Sequence, residues 1–306
     1  MRPVASPSTA VAMARLRAHH ARYDRPAIFT DDFAERLITE QESEFFARLG
    51  AEALRRLRPE LDPSQLDPAA QVRALPRTRG ALAVTVARAR FTEDHLADAV
   101  KDGCSQYVIL GAGLDTFAFR RTDLGARLRV FEIDRAAAQE SKRARLAAAG
   151  IACPANLHFL AADFQRESAG EILARSAAWR RDQSAFFSWL GVSYYLSRDA
   201  VLETLRSLRS VAAPGSLLAF DHIDLNAFDL GKASARVRDM LEFVNAIGEP
   251  MVTGFDPRSL PEVLASCGFH VIEALDPARV HARYFEGRSD GLGATEHFHF
   301  VLAETV

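Results

Sequence analysis

A glycine-rich turn at residues 111–113 is the first feature of the sequence that could do chemistry. Gly111, Ala112 and Gly113 directly follow the apolar run 108–110. Glycines in such a turn let backbone atoms approach a ligand closely, and the start of the next helix offers free backbone N–H groups. A dinucleotide-binding fingerprint requires a third glycine at position 116, where this chain has Thr116. The turn therefore predicts a ligand site at the end of a strand and disfavours NAD or FAD as the ligand.

Acidic residues follow at the ends of the next two apolar runs. Glu132 and Asp134 close the run 131–134, about 20 residues after the glycines, and they share one strand face because side chains alternate along a strand. A carboxylate at Asp134 can accept hydrogen bonds from both hydroxyls of a ribose. Asp163 and Phe164 end the next run, where a carboxylate can bind an adenine amino group and an aromatic ring can cover the base. Together these strand ends predict an adenosine pocket without a phosphate cradle.

Short β-rich runs alternate with helical patterns from residue 106 onward, and these elements must position the residues described above. The runs are 107–110, 128–133, 157–160, 185–189, 216–220, 269–274 and 297–303. The clearest helical pattern between them has Ser197 as a cap, with Val201, Leu205, Leu208 and Ala212 on one face. This alternation predicts an α/β fold with a doubly wound, mostly parallel sheet of seven strands, which binds ligands at the carboxyl ends of its strands.

Only helices are expected before the first strand. Residues 9–23, a short segment opened by Asp31 and Asp32, residues 42–58 and residues 76–101 have helical character. The prolines at positions 59, 63 and 68 indicate a loop between the last two of these helices. We therefore expect a helical N-terminal cap at residues 1–103 and a ligand-binding core at residues 104–306, with a helical insertion at about residues 226–247.

The composition excludes several classes of protein. The chain has 306 residues, 48% of them hydrophobic, and its 38 Lys and Arg residues nearly balance 40 Asp and Glu residues. A net charge of −2 gives no general attraction for nucleic acid or anionic lipid. Cys104, Cys153 and Cys267 lack metal-ligand spacing, and no uncharged apolar stretch is long enough to cross a bilayer. We therefore expect a soluble cytoplasmic protein without a metal site, which binds neither nucleic acid nor membranes.

The motifs together resemble the class I S-adenosylmethionine-dependent methyltransferases, and specifically the bacterial branch of the leucine carboxyl methyltransferase-like family. The resemblance covers nearly the whole chain, and the run 109–116, Ile-Leu-Gly-Ala-Gly-Leu-Asp-Thr, is specific to that family. Other matching stretches are 8–18, 24–26, 31–32, 87–91, 131–134, 162–164, 189–192, 195–196 and 268–269. The resemblance implies S-adenosyl-L-methionine as the cofactor and a Rossmann-like methyltransferase fold whose last strand is antiparallel.

The resemblance also implies roles for individual residues in binding the cofactor. The glycine turn would line the cofactor, Asp134 would hold its ribose, and Asp163 with Phe164 would flank its adenine. Many family members have a glutamate directly after the tryptophan of the fourth strand, where this chain has Leu190. We therefore expect either a more apolar acceptor pocket or another group that replaces the glutamate.

Arg88 would pair with the methionine carboxylate of the cofactor. The segment between Asp67 and Glu93 contains arginines and no acidic residue, and a bidentate guanidinium suits a carboxylate. Near the N-terminus, Arg17 is a second candidate cation, and Arg15 fits almost as well.

The resemblance implies methyl transfer to a small molecule or peptide, and a carboxylate oxygen is the expected acceptor. A carboxylate is ionised at neutral pH and needs no general base. A hydroxyl acceptor is the alternative, with His222 as its base and Tyr194 and Tyr195 as orienting hydroxyls. A non-catalytic S-adenosylmethionine sensor and a nicotinamide oxidoreductase are further alternatives, although Thr116 and the N-terminal helices count against the oxidoreductase.

Overall fold

The structure is a computed structural model that describes residues 8–125, 127–162 and 167–306. Asp163 and Phe164, for which the sequence predicts contacts with adenine, lie outside the described residues. The described residues form an α/β structure around one sheet of seven strands. The predicted fold class is therefore confirmed.

Four helices precede the first strand in the part of the chain that the structure describes. They are α1 (Thr9–Tyr23), α2 (Glu40–Leu57), α3 (Pro68–Ala74) and α4 (Pro76–Lys101), with 3₁₀ turns at Ala34–Leu37 and Pro63–Gln65. Asp31 accepts a hydrogen bond from the backbone N–H of Ala34, the first residue of the first of these turns, at 3.0 Å. The loop predicted around Pro68 is wrong, because Asp67 caps a helix there by accepting from the backbone N–H of Ala70 at 2.7 Å. Proline is well suited to the first position of a helix.

The sheet contains a point where the strand order reverses. Its strands are β1 (Gln106–Leu110), β2 (Arg129–Asp134), β3 (Leu157–Ala161), β4 (Ala185–Trp189), β5 (Leu217–Ile223), β6 (Phe269–Leu275) and β7 (Phe298–Thr305). Their order is β3-β2-β1-β4-β5-β7-β6. The first five strands are parallel, and β7 lies antiparallel between β5 and β6, as the resemblance implied. The reversal lies between β1 and β4, and such a reversal is where doubly wound sheets bind ligands.

Further helices connect the strands. They are α5 (Phe117–Arg120), α6 (Thr122–Gly125), α7 (Ala136–Ala148), α8 (Ala169–Arg175), α9 (Arg198–Val211), α10 (Ala235–Ala246), α11 (Leu260–Ser266) and α12 (Pro277–Tyr284). Ser197 caps α9 by accepting a hydrogen bond from the backbone N–H of Ala200 at 3.3 Å. The predicted apolar face of α9 is buried at Val201, Leu205 and Leu208. α10 lies where the sequence predicts a helical insertion.

Alternation along β5 assigns its side chains to the two faces of the sheet. Ala219 and Ile223 belong to a buried cluster that also contains residues of α1 and α4. Leu218 and Phe220 belong to a second buried cluster, which includes the apolar face of α9. Burying a side chain such as leucine or phenylalanine contributes about 1.5–3 kcal/mol, so this register is strongly specified. Asp221 therefore points toward the face that the N-terminal helices cover.

The N-terminal helices share a hydrophobic core with the sheet. Ala14 of α1 and Leu82 of α4 belong to the same buried cluster as Ile109 of β1. The division of the chain into a cap and a core at residue 103 stays a prediction. Among the described residues, no helix combines the length and the apolar character that crossing a membrane would require.

Candidate functional site

A cavity of about 560 Å³ lies at the carboxyl ends of β1, β2 and β4, at the reversal of strand order. Its volume falls within the range of about 300–1,000 Å³ that is typical of small-molecule sites. α1 and α4 form a further part of its wall. The cavity brings together the predicted site residues that the structure describes, except His222: Arg88, Gly111, Ala112, Gly113, Asp134, Leu190 and Tyr195.

The glycine turn after β1 leaves no room for side chains. Gly111 and Gly113 have φ angles of +66° and +50°, a backbone conformation that residues other than glycine rarely adopt. A Cβ on Gly111 would lie 2.5 Å from Cγ2 of Val192, and one on Gly113 would lie 3.1 Å from Cβ of Ala10. The backbone of the turn is therefore exposed to the cavity with α1 packed directly against it.

Asp134 lies at the end of β2, over the glycine turn. Its Oδ2 accepts a hydrogen bond from the backbone N–H of Gly113 at 2.7 Å, and its Oδ1 accepts one from the backbone N–H of Arg135 at 2.7 Å. The carboxylate is only partly buried and lines the cavity. It is therefore held in place by the backbone while it keeps the capacity to accept hydrogen bonds from a ligand.

Glu132, two residues earlier on β2, lies deeper in the protein. It is almost fully buried and accepts a hydrogen bond from Nζ of Lys142 at 2.5 Å. Burial raises the pKa of Glu132 to about 7, against the opposing effect of Lys142. Its carboxylate belongs to the packing between β2 and α7, whereas Asp134 faces the cavity.

Arg88 of α4 forms a buried ion pair at the other end of the cavity. Its Nη1 donates hydrogen bonds to Oδ2 of Asp221 at 2.8 Å and to the hydroxyl of Tyr194 at 2.9 Å. Burial opposes the charge of the guanidinium, but Asp221 and Tyr194 raise the pKa of Arg88 above its ordinary value. Arg88 is therefore a permanent cation that is fixed in position before any ligand binds.

Gly191 connects this ion pair to the loop after β4. Its backbone N–H donates to Oδ1 of Asp221 at 2.6 Å, and its φ angle is +73°. A Cβ on this residue would lie 2.5 Å from Nη2 of Arg88. The neighbouring Leu190 is partly buried and also lines the cavity, so it presents an apolar surface at the position where the resemblance implies a glutamate in many members.

A second cationic group comes from α1. Arg17 lines the cavity, donates from Nε to Oδ2 of Asp31 at 2.8 Å and donates from Nη2 to the backbone oxygen of Leu114 at 2.7 Å. Arg120 also pairs with Asp31 and with Glu93. Burial raises the pKa of Asp31, but the two arginines outweigh it and hold that pKa below its ordinary value. These contacts tie α1 to the strand ends.

Two tyrosines lie between the cavity and the N-terminal helices. The rings of Tyr194 and Tyr195 meet edge to face, with centroids 4.9 Å apart. Burial raises the pKa of both phenols above the ordinary value, so both hydroxyls stay protonated and can donate hydrogen bonds. The hydroxyl of Tyr194 is engaged by Arg88, whereas that of Tyr195 has no hydrogen-bond partner among the described residues.

His222 lies on the opposite face of the sheet from the cavity. Its neighbour Asp221 points toward Arg88, and alternation along β5 turns His222 toward Phe255 and His299. Burial and the neighbouring His299 lower the pKa of His222 to about 3. Its assignment as general base therefore has to be corrected: a buried, neutral imidazole behind the sheet cannot take a proton from a ligand in the cavity.

Several residues in or directly behind the cavity wall do not appear among the residues predicted from the sequence. Asp221 is the most important: it does not line the cavity but holds Arg88 there, and its signal is a carboxylate in a strand that is apolar apart from Asp221 and His222. Glu249, in the loop after α10, supplies a further carboxylate and accepts a hydrogen bond from the backbone N–H of Thr9 at 3.3 Å. No local pattern in the sequence distinguishes Glu249 from a surface residue. Tyr107 and Ser188 share a hydrogen bond of 2.9 Å on the floor of the cavity.

The comparison with known protein families agrees with this site. A family model described as leucine carboxyl methyltransferase matches residues 10–209. YktD of Bacillus subtilis (strain 168) is 36% identical over 315 aligned residues, which cover 99% of each chain. A protein of Mycobacterium tuberculosis (strain H37Rv) is 33% identical over 243 residues, which cover 76% of this chain and 70% of the relative. The names of both relatives describe S-adenosyl-L-methionine-dependent methyltransferases.

Solved structures share the fold at low sequence identity. A duf574 family protein from Streptomyces avermitilis superposes with a TM-score of 0.58 at 16% identity and covers 98% of both chains. A Thermobifida fusca protein described as a methyltransferase superposes with a TM-score of 0.54 at 18% identity, covering 78% of this chain and 89% of its own. These likenesses concern the fold, and the resemblance inferred from the sequence motifs is confirmed by the family match.

Proposed function

This chain belongs to the leucine carboxyl methyltransferase family and depends on S-adenosylmethionine, and we propose that it methylates a carboxylate oxygen of a small molecule or peptide. The observation that carries the proposal is the chemistry of the cavity wall. Among the described residues that line it there is no histidine, lysine or cysteine. A carboxylate acceptor is already ionised at neutral pH and requires none of these groups as a base.

The cavity has features that fit S-adenosylmethionine. We assign the ribose hydroxyls to Asp134, whose carboxylate retains free acceptor capacity at the end of β2. We assign the surface against the sugar and the methionine chain to Gly111, Ala112 and Gly113, since a Cβ on either glycine would meet a neighbouring side chain. Leu190 would supply an apolar contact. The adenine contacts predicted for residues 163 and 164 stay a prediction.

Arg88 is assigned to the carboxylate of the methionine moiety. The hydrogen bonds that it makes to described residues all leave from Nη1, so the rest of its guanidinium retains donors for a ligand. Asp221 neutralises part of its charge but cannot move away, because the backbone of Gly191 also holds that carboxylate. Arg17 lines the same cavity and is the second cation that could face this carboxylate.

S-adenosylmethionine supplies an electrophilic methyl group on a sulfonium, and the protein has to align an acceptor oxygen with it and exclude water. Alignment of two bound reactants can account for several kcal/mol of the barrier. Tyr195 is placed to contribute, since its hydroxyl is protonated and has no partner among the described residues. We propose that Tyr195 donates a hydrogen bond to the acceptor carboxylate and orients it.

A pH–rate profile tests the proposed reaction once an acceptor has been found by screening carboxylic acids and phenols of matched size. For a carboxylate acceptor, we expect kcat/KM to be nearly constant between about pH 6 and 9, because the acceptor stays ionised over this range. A rate that rises with pH over this range, or transfer to phenols alone, would contradict the proposal.

Tyr195→Phe tests the role of the hydroxyl, with Tyr23→Phe as a control at an exposed tyrosine of α1. We expect Tyr195→Phe to lower kcat/KM by roughly tenfold, the value of one hydrogen bond to a charged group, while the affinity for S-adenosylmethionine is preserved. An unchanged kcat/KM would remove Tyr195 from the mechanism.

A further inference from the structure

A second, apolar pocket of about 130 Å³ adjoins the cavity between α1, α2, α3, α4 and α10. The two share the wall formed by Thr9, Met13, Thr85, Arg88, Tyr194 and Tyr195. Beyond that wall the apolar pocket is lined mainly by aliphatic and aromatic side chains, such as Leu16, Phe46, Val72, Leu75 and Met240. Because Tyr195 belongs to both spaces, a ligand that contacts its hydroxyl can extend into the apolar pocket.

Arg15 is the unusual feature of this pocket. It lines the apolar pocket but not the larger cavity, and its guanidinium carbon lies 5.5 Å from the centroid of the Phe46 ring. Arg88, the other arginine of the pocket wall, is already paired with Asp221. Arg15 has no hydrogen bond and no ion pair with any residue in the described part of the chain, and burial lowers its pKa.

Arg15 is half-buried, and a partly desolvated guanidinium without an anion is unfavourable, because the lost hydration is not replaced. The contact with the Phe46 ring recovers only part of that loss. An anionic group of a ligand would supply the missing partner, and it would gain a strong, charge-assisted contact in a pocket of low polarity. The volume of the pocket indicates the size of the apolar part of such a ligand, since an engineered apolar cavity of about 150 Å³ holds one benzene molecule, six carbon atoms.

We propose that the methyl acceptor is an amphipathic molecule with two anionic groups. The carboxylate that is methylated contacts Tyr195, a segment of about six carbon atoms fills the apolar pocket, and the second anionic group pairs with Arg15. This assignment rests on the proposed function, because it takes the first group to be a carboxylate in the larger cavity. It explains why a cation is retained in a pocket whose other walls are largely apolar.

Calorimetric titration with two probes tests the assignment without requiring turnover. Octanedioate and octanoate have the same chain length, but only octanedioate has a carboxylate at both ends. Both are titrated into the protein saturated with S-adenosylhomocysteine. We expect octanedioate to bind at least about tenfold more tightly than octanoate, because one additional charge-assisted contact has that value.

Variants of Arg15 then show whether this residue is the cause of the preference. In Arg15→Met, which keeps the pocket apolar, we expect the two probes to bind equally, while Arg15→Lys retains part of the preference. Arg48→Met, at an exposed arginine of α2, is the matched control and should leave the preference unchanged. Affinity for S-adenosylhomocysteine verifies folding of each variant, since Arg15 does not line the larger cavity.

Equal affinities of the two probes for the wild-type protein, or a preference that persists in Arg15→Met, would overturn the assignment. Failure of the proposed function has a different signature. If binding of octanedioate depends on Arg15 but no carboxylic acid is ever methylated, the anion site stands and the proposed reaction does not. If a carboxylic acid is methylated at the same rate by the wild type and by Arg15→Met, the proposed reaction is supported and the anion site is contradicted.

Discussion

Arg88 and Asp221 form a buried ion pair, with Nη1 of the arginine 2.8 Å from Oδ2 of the aspartate. The pair joins α4 to β5. The loop after β4 is also connected to it, because the backbone N–H of Gly191 donates a hydrogen bond to Oδ1 of Asp221 at 2.6 Å. Three elements therefore converge on one guanidinium at the wall of the cavity. Such an arrangement fixes the position of the cation in advance, so that little conformational entropy is lost when a ligand carboxylate binds.

Removing one member of this pair should destabilise the protein strongly. In Arg88→Met, Asp221 becomes an uncompensated buried charge, and we expect the free energy of unfolding in urea to fall by about 3–5 kcal/mol. The double variant Arg88→Met/Asp221→Asn should recover most of that loss, because asparagine is neutral and can still accept from Gly191. Both variants should lose affinity for S-adenosylmethionine.

The control for this experiment lies on the same helix. Arg90 and Asp94 form an exposed ion pair at 2.7 Å, and Arg90→Met should cost less than about 1 kcal/mol. Similar losses in Arg88→Met and Arg90→Met would mean that burial of the Arg88 pair has no energetic consequence.

Gly191→Ala tests the close approach between the loop after β4 and the guanidinium. The added Cβ would lie 2.5 Å from Nη2 of Arg88, so the guanidinium must shift. We expect the affinity for S-adenosylmethionine to fall at least about tenfold in a direct titration. Gly287→Ala is the matched control, since Gly287 has a φ angle of +75° against +73° for Gly191 and open space around it. Both variants carry a backbone strain of about 1–2 kcal/mol, and only the first should lose affinity.

Asp134→Ala tests the assignment of the ribose. Losing a charged hydrogen-bond acceptor should weaken S-adenosylmethionine binding by about 1.5–3 kcal/mol, or roughly tenfold to a hundredfold, in calorimetric titration. Asp182→Ala, at an exposed aspartate away from the cavity, should bind as the wild-type protein does. If Asp134→Ala also binds like wild type, the ribose does not contact this carboxylate.

His222 should affect the pH dependence of stability rather than catalysis. Its pKa falls from 6.5 to about 3 on folding because of burial and His299, so the unfolded chain binds a proton at a higher pH than the folded protein. A lowered pKa of this kind gives stability that is present above pH 6.5 and is lost as the pH falls toward 3. The loss should approach about 1.4 kcal/mol for each pH unit.

His222→Phe removes this contribution. Below pH 6.5, the free energy of unfolding of the wild type should therefore fall relative to that of His222→Phe as the pH is lowered. Above pH 6.5, the difference between the two proteins should be constant. His281→Phe, at an exposed histidine of α12, controls for the change of side chain. A methyl-transfer rate that collapses in His222→Phe, with the fold intact, would contradict the position of this residue behind the sheet.

Much of the fold could be predicted from local patterns in the sequence. Residue propensity, apolar periodicity and the positions of glycines act over a few residues. They are enough to predict the boundaries of α1, the cap at Ser197 and the strands β1 and β4. The antiparallel β7 followed from the resemblance and not from any local signal. Pro68 indicates a loop in the sequence but begins a helix in the structure, because proline suits both positions.

The site was less predictable where two distant segments determine a residue's role. His222 and Asp221 are adjacent, and the sequence favours the histidine as a general base because the ordinary pKa of histidine suits that role. The period-2 alternation of β5 turns the aspartate toward α4 and the histidine away from it. The alternation was visible in the sequence, but which face carries the cavity depends on how α1 and α4 pack. Glu249 and Arg15 acquire their surroundings only through that packing.

Helix α1 presents different residues to the two pockets. Ala10 and Arg17 line only the larger cavity, whereas Ala12, Arg15 and Leu16 line only the apolar pocket. Under the proposed assignments, the residues of α1 that select the acceptor and those that contact the cofactor therefore lie on separate faces of the helix. Directed evolution toward new acceptors should therefore concentrate substitutions at positions 12, 15 and 16 and leave positions 10 and 17 unchanged. A library randomised at these three positions should yield variants with altered acceptor specificity and little change in cofactor affinity.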